Sequence, residues 1–221
     1  MNPAARIKTF TDRYPFIGPT MWMLSLQYYV IQVVVALAWT SHYSQLQNTI
    51  SDLGNTACGT YAGRFVCSPL HSLMNSSFIT LGVFMALGSL LIYQEFKKTG
   101  ATLAGFSFMA VGGIGTLLVG LSPENTNYPL HLLGAALPFL VGNVGIVVLG
   151  LELTIPRWLR RYMLATGIIS LIALVFFATG HYLGIGIGGM ERLTAYPQTL
   201  WLIVFGIYIS RNHILKHSRR G

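Results

Sequence analysis

The tripeptide Pro-Leu-His occurs twice in this sequence, ending at His71 and at His131, and each copy opens a long apolar run. An acidic residue lies ahead of each copy, Asp52 before the first and Glu124 before the second. A third histidine, His181, lies at the end of another apolar run. Three imidazoles are a common ligand set for a catalytic zinc ion, which activates a bound water. The pattern therefore predicts a zinc site with His71, His131 and His181 as ligands and with Asp52 or Glu124 as the general base.

Further polar residues lie close to these groups in the sequence and complete the predicted site. Ser72 is a candidate catalytic residue, because either Ser72 or Ser51 would orient the carbonyl group of a substrate. The predicted binding residues are Ser51, Asn55, Asn75 and Asn125. A structural interpretation stays open beside this one: the histidines cap helices at the membrane interface, and Asn75 forms hydrogen bonds between helices.

The composition decides what kind of protein positions these residues. The chain has 221 residues, of which 53% are hydrophobic and 9% are charged. A soluble domain carries roughly 25% charged residues, so soluble enzymes and secreted modules are disfavoured. Apolar runs of about 20 residues are long enough to cross a bilayer. Five such runs and a shorter sixth one predict one all-α transmembrane domain over residues 1–221, with spans at 21–41, 70–93, 101–121, 130–153, 163–183 and 196–210. The sixth run is too short to cross the core, so we expect its helix to continue through Asn212 and Ile214.

The basic residues indicate how this bundle is oriented. In a six-span arrangement only Arg64 and Arg192 fall on one side, and the other Lys and Arg residues fall on the opposite side. Basic loops stay in the cytoplasm, so we expect cytoplasmic termini and exterior loops at 42–69, 122–129 and 184–195. The formal charge of +8 follows from this topology, without a nucleic-acid partner. The predicted location is a cell membrane, and we expect a prokaryotic plasma membrane.

The exterior loops are expected to cover the predicted site. The loop at 42–69 contains the two cysteines of the chain, Cys58 and Cys67. An oxidising exterior favours a disulfide between them, and two free thiols are the alternative. The loop at 184–195 is rich in glycine and is predicted to be a flexible outer loop or lid. The longer loop would bring Asp52 over the histidines and cap an outward-facing polar pocket.

The loop around Asp52 also carries a resemblance to a known family. Residues 48–54, Asn-Thr-Ile-Ser-Asp-Leu-Gly, resemble the hallmark loop of a bacterial and archaeal family of six-span membrane proteins known only as a domain of unknown function. Residues 75–82 and 129–131 are also similar to that family's pattern, so the resemblance covers most of the chain. It implies a six-span bundle, and it implies no activity.

A second resemblance concerns the site alone. The serine, the aspartate and the three histidines resemble the zinc site of the alkaline ceramidase and adiponectin receptor superfamily, which hydrolyses lipid amides inside the bilayer. That superfamily has seven spans and takes two ligands four residues apart on one helix. In this chain the pair with that spacing is His213 and His217, which lies on the predicted cytoplasmic side. The resemblance is therefore an analogy between sites.

Together these patterns predict an integral membrane protein whose outward-facing polar pocket binds a lipid or another amphipathic small molecule. In the enzymatic version of this hypothesis the protein is a zinc-dependent lipid hydrolase. The alternative is a non-catalytic accessory subunit, whose outer loop docks on a membrane protein partner and whose histidines are merely interfacial. Membrane lipids are partners under either interpretation.

Overall fold

The computed structural model describes residues 3–218. Arg219 and Arg220, which the sequence assigns to the cytoplasmic side, lie outside the described residues, as does the side chain of His217. In chain order the elements are α1 (Pro3–Arg13), α2 (Ile17–Leu24), α3 (Gln27–Leu37), a 3-10 helix (Ser51–Gly54), β1 (Gly59–Tyr61), β2 (Arg64–Val66), α4 (His71–Tyr93), α5 (Gly100–Leu121), α6 (Tyr128–Ala136), a π-helical segment (Leu137–Gly142), α7 (Asn143–Glu152), α8 (Arg157–Ala178) and α9 (Gly186–Ser218).

Six helical segments in this part of the chain are long and apolar enough to cross a membrane. They are Ile17–Leu37, His71–Tyr93, Gly100–Leu121, Tyr128–Glu152, Arg157–Ala178 and Gly186–Leu215. At about 1.5 Å per residue each reaches the roughly 30 Å of a hydrocarbon core. The prediction of an all-α bundle with six spans is therefore confirmed, and the protein is a multi-pass membrane protein.

The sixth span differs from its predicted boundaries. The sequence predicts a flexible loop at 184–195, whereas α9 already begins at Gly186. Gly188 and Gly189 donate their N–H groups to the carbonyl oxygen of Leu46, at 2.9 and 3.2 Å, and a side chain on Gly188 would collide with a neighbouring backbone carbonyl. The glycines thus allow the start of α9 to pack tightly against the first outer loop. They are not a sign of a flexible lid.

Close helix packing and an aromatic cluster hold the bundle together away from the outer loops. A Cβ atom at Gly82 of α4 would lie 2.5 Å from the carbonyl oxygen of Gly113 of α5, so these helices meet backbone to backbone. At the end opposite the outer loops, Trp22 packs on Trp201 and Phe205 with ring centroids 5.1 and 5.8 Å apart. These rings are buried and form the core of that half of the bundle.

The connection between α3 and α4 is a folded cap. It contains the 3-10 helix and an antiparallel hairpin of β1 and β2, in which Gly59 pairs with Val66. The turn residues Ala62 and Gly63 have φ angles of 46° and 78°, as a tight hairpin turn with two left-handed residues requires. Cys58 and Cys67 form a disulfide across the open end of this hairpin, which confirms the predicted pairing. We call the bundle end that carries this cap the outer end, after its predicted orientation.

Candidate functional site

A cleft with a volume of about 410 Å³ opens at the outer end of the bundle. One side of the cleft is polar and is formed by the cap, the α5–α6 loop, the first turn of α6 and the second turn of α9. The other side is apolar. The polar side includes Thr49, Ser51, Arg64, Glu124, His131 and Glu191, and the apolar side includes Leu132, Ala135, Phe139, Phe177 and Ile187.

Asp52 and Arg64 form an ion pair at the edge of this cleft. Arg64 donates from Nε to Oδ2 of Asp52 at 2.6 Å and from Nη2 to Oδ1 at 2.7 Å. Asp52 is fully buried, and it also accepts from the backbone N–H of Thr49 at 2.9 Å and from Nδ2 of Asn48 at 3.3 Å. Both oxygens of Asp52 are therefore engaged, and the arrangement gives this residue a role in holding the cap. It does not fit the predicted role of general base.

The pair also changes the acid–base behaviour of its surroundings. Burial lowers the pKa of Arg64, but the hydrogen bonds and the charge of Asp52 raise it more, so its pKa lies above the ordinary value. Glu124 is buried in the same cluster. Burial first, and then the negative charge of Asp52, raise the pKa of Glu124 to about 9. At neutral pH Glu124 is therefore protonated, which makes it a proton donor and argues against its predicted role as a base.

His131 and Ser51 lie within hydrogen-bond distance of each other on the polar side of the cleft. Nδ1 of His131 lies 2.9 Å from the carbonyl oxygen of Ser122, and Nε2 lies 3.0 Å from Oγ of Ser51. A carbonyl oxygen only accepts, so Nδ1 carries the proton. In a neutral imidazole, Nε2 then has the free lone pair and accepts the hydroxyl proton of Ser51. This is the arrangement of a nucleophile beside its general base.

Glu191 contacts the same serine from α9. Its Oε1 lies 3.1 Å from Oγ of Ser51, and its Oε2 accepts from the backbone N–H of Ile50. Ser51 has one hydroxyl proton and two neighbouring acceptors. Two proton arrangements satisfy all three groups: a protonated Glu191 donates to Ser51, which donates to His131, or a protonated His131 donates to Ser51, which donates to Glu191. Only the first arrangement leaves the imidazole free to act as a base.

The structure does not bring the other two predicted zinc ligands to this cleft. His71 is the first residue of α4, and its Nδ1 is buried without a hydrogen-bond partner among the described residues. His181 follows α8 and is exposed, as is the predicted catalytic residue Ser72. Within residues 3–218 no three His, Cys, Asp or Glu side chains are arranged to hold a metal ion. The donor groups at this cleft therefore do not fit a zinc ion.

Two of the predicted binding residues, Asn75 and Asn125, hold the cap in place. Asn75 donates from Nδ2 to the carbonyl oxygen of Gly54 at 2.9 Å. Asn125 accepts from the backbone N–H of Thr56 and donates to its hydroxyl, each at 3.1 Å. Asn55 is buried, and neither atom of its amide has a partner within the described chain. Of the predicted binding residues, Ser51 lines the cleft.

Three residues near the site were missed by the sequence reasoning, namely Arg64, Glu191 and Arg192. Nη1 of Arg192 donates to the carbonyl oxygens of Gln45, Asn48 and Gly188 at 2.7, 2.8 and 2.9 Å, which joins the cap to α9. Arg64 and Arg192 are the two basic residues that the charge distribution leaves on the outer side. Because the positive-inside pattern disfavours cations there, these exceptions were an available signal for structural or functional roles.

Comparison with known proteins adds a family and no activity. The family described as "Protein of unknown function (DUF998)" matches residues 23–208, which include the cap and every residue of the cleft. No curated protein and no solved structure matches the chain. The geometry of the cleft therefore carries the functional argument.

Proposed function

The chain belongs to the DUF998 family, whose function is unknown, and we propose that this integral membrane protein hydrolyses an ester of an amphipathic molecule, with Ser51 as the nucleophile and His131 as the general base. The observation that carries the proposal is the contact of 3.0 Å between Oγ of Ser51 and Nε2 of His131, together with the hydrogen bond of 2.9 Å that fixes the proton on Nδ1.

The first half of the reaction forms an acyl-enzyme. Oγ of Ser51 bonds to the ester carbonyl carbon while its proton moves to Nε2 of His131. The bond between that carbon and the alcohol oxygen then breaks, and His131 returns the proton to the departing alcohol. A positioned base of this kind contributes about 10²- to 10⁴-fold in rate.

The second half releases the acyl group as a carboxylic acid. A water molecule in the cleft gives a proton to Nε2 of His131 and bonds to the acyl carbon, and the bond to Ser51 breaks as Oγ regains the proton. Arg64 and the protonated carboxyl of Glu124 line the same cleft. Donors in such a position favour the negative charge that develops on the carbonyl oxygen in both halves.

The apolar side of the cleft supports an amphipathic substrate. Leu132 and Phe139 lie on the fourth span and Phe177 lies on the fifth, so this wall is at membrane depth. Leu132 is also 53% exposed. A lipid-like molecule can therefore place its apolar part against this wall and its ester beside Ser51. By the predicted topology, the reaction takes place at the exterior face of a cell membrane, for which a prokaryotic plasma membrane remains our proposal.

A serine-directed probe tests this proposal on the full chain in lipid nanodiscs. We expect an alkyl fluorophosphonate to label wild-type protein at Ser51, and a fluorogenic coumarin ester with an alkyl tail to be hydrolysed. Ser51→Ala should abolish labelling, and His131→Gln should slow both labelling and hydrolysis by about 10²-fold or more. Ser72→Ala is the matched control, because Ser72 is exposed and does not line the cleft.

Glu191→Gln separates the two proton arrangements. A glutamine amide still donates to Ser51 and directs the serine proton to His131, so we expect this variant to retain hydrolysis. A loss as large as that of His131→Gln would instead assign the role of base to Glu191. Absence of labelling in the wild-type protein, or labelling that persists in Ser51→Ala, would overturn the proposal and favour the accessory-subunit alternative.

A further inference from the structure

Ser51 lines two separate spaces. Besides the cleft, Ser51 also lines a second, partly open cavity of about 40 Å³, whose other lining residues include Phe78, Met85 and Gln198 deeper in the bundle. Four residues line both spaces: Ser51, Ala135, Phe139 and Glu191. A carbonyl carbon bonded to Oγ of Ser51 would therefore adjoin both the open cleft and the smaller cavity.

The cavity is large enough for a few non-hydrogen atoms. One water needs about 10 to 15 Å³ of such volume, so 40 Å³ has room for three to four groups of that size. Its walls are mostly apolar and include Phe78, Leu81, Met85 and Val119. The polar residues of the lining include Ser51, Thr116, Glu191, Gln198 and Thr199. Gln198 is buried, and its Nε2 has no acceptor among the described residues. A water held by that N–H would leave space for about two or three carbon atoms besides the carbonyl carbon, which is bonded to Ser51.

We propose that this cavity binds the acyl part of the substrate, so that the enzyme removes short acyl groups of about two to four carbons from an amphipathic alcohol. This inference rests on the proposed ester hydrolysis at Ser51. The alcohol carries the large apolar part, because the cleft is about ten times larger than the cavity and its apolar wall lies at membrane depth. A long acyl chain would have no space beyond Phe78 and Met85, whose side chains are buried in the core.

A series of esters that share one fluorogenic alkyl-coumarin alcohol tests the inference with the full chain in nanodiscs. We expect kcat/KM for the acetyl and butanoyl esters to exceed that for the octanoyl and hexadecanoyl esters by about 100-fold. A single methylene in a tight pocket is already worth about 10- to 200-fold. The matched variants change the cavity and leave the cleft intact, since Met85 and Ala195 line only the cavity.

Met85→Ala enlarges the cavity and should reduce the preference for short acyl groups to below about 10-fold. Ala195→Leu fills the cavity and should lower kcat/KM for the butanoyl ester more than for the acetyl ester, while fluorophosphonate labelling of Ser51 shows that the variant is folded. Equal cleavage of short and long acyl esters by the wild-type protein would overturn this inference and leave the proposed function standing. Failure to cleave any ester, without labelling of Ser51, would instead overturn the proposed function itself.

Discussion

Replacing Arg64 with methionine should release the cap from the outer end of the bundle. Arg64→Met keeps the apolar stem of the side chain and removes both hydrogen bonds to Asp52, of 2.6 and 2.7 Å. Asp52 is fully buried, so its carboxylate would keep only neutral partners, namely Thr49, Asn48 and the protonated carboxyl of Glu124. Breaking a buried ion pair from one side costs about 3 to 5 kcal/mol, because an uncompensated charge stays in the interior.

Amide hydrogen exchange of residues 59–66 measures this loss at the hairpin. Since about 1.4 kcal/mol corresponds to a factor of ten, exchange should speed up by about two to three and a half orders of magnitude in Arg64→Met. The double variant Asp52→Asn/Arg64→Met removes the unpaired charge and should regain most of the protection. Wild-type exchange rates in Arg64→Met would refute the reasoning that Asp52 depends on this partner.

An exposed ion pair elsewhere in the chain provides the control. Lys8 and Asp12 lie 3.1 Å apart, one helical turn from each other, with side chains 59% and 64% exposed. An exposed pair of this kind contributes less than about 1 kcal/mol. Lys8→Met should therefore leave exchange in the hairpin unchanged. A similar acceleration in both variants would indicate a general effect of lost positive charge.

Three further predictions concern pH, packing and topology. The folded protein keeps the proton of Glu124 up to about pH 9, whereas the unfolded chain releases it near the ordinary value of 4.5, so stability should fall as pH rises through this window. Glu124→Gln stays uncharged and should flatten the decline in Tm between pH 5 and pH 9; an unchanged decline would contradict this assignment. Gly82→Ala places a methyl group 2.5 Å from the carbonyl oxygen of Gly113 and should cost about 1 to 3 kcal/mol in unfolding experiments. Gly100→Ala, which meets open space, should cost nothing, and equal losses would exclude the clash as the cause. A cysteine introduced at Lys97 should react with an impermeant maleimide only from the cytoplasmic side, and labelling from the exterior would reverse the topology.

Local sequence signals were sufficient to predict a structural element where one physical requirement determines it. A bilayer requires about 20 apolar residues in a helix, whatever the neighbouring helices are, so all six spans could be located. Pro129 also lies in the first turn of α6. This position suits proline because a backbone N–H there has no partner within the helix. The same reasoning failed at the start of α9, because the glycines between 184 and 189 indicate a loop unless a partner backbone lies close by. That partner is Leu46, about 140 residues earlier in the chain.

The sequence by itself therefore determined the six membrane spans and the pairing of Cys58 with Cys67, because length, apolarity and a short separation of two cysteines are properties of single segments. It also identified Ser51, Asp52, Glu124 and His131 as residues that could take part in catalysis or binding. Only the tertiary structure decided which of them meet. Ser51 contacts His131 across 80 residues and Glu191 across 140 residues, and His71, with the same local pattern as His131, is left outside the cleft. Such contacts depend on which helix ends come together when the bundle packs. The spacing of residues along the chain does not show which ends these are.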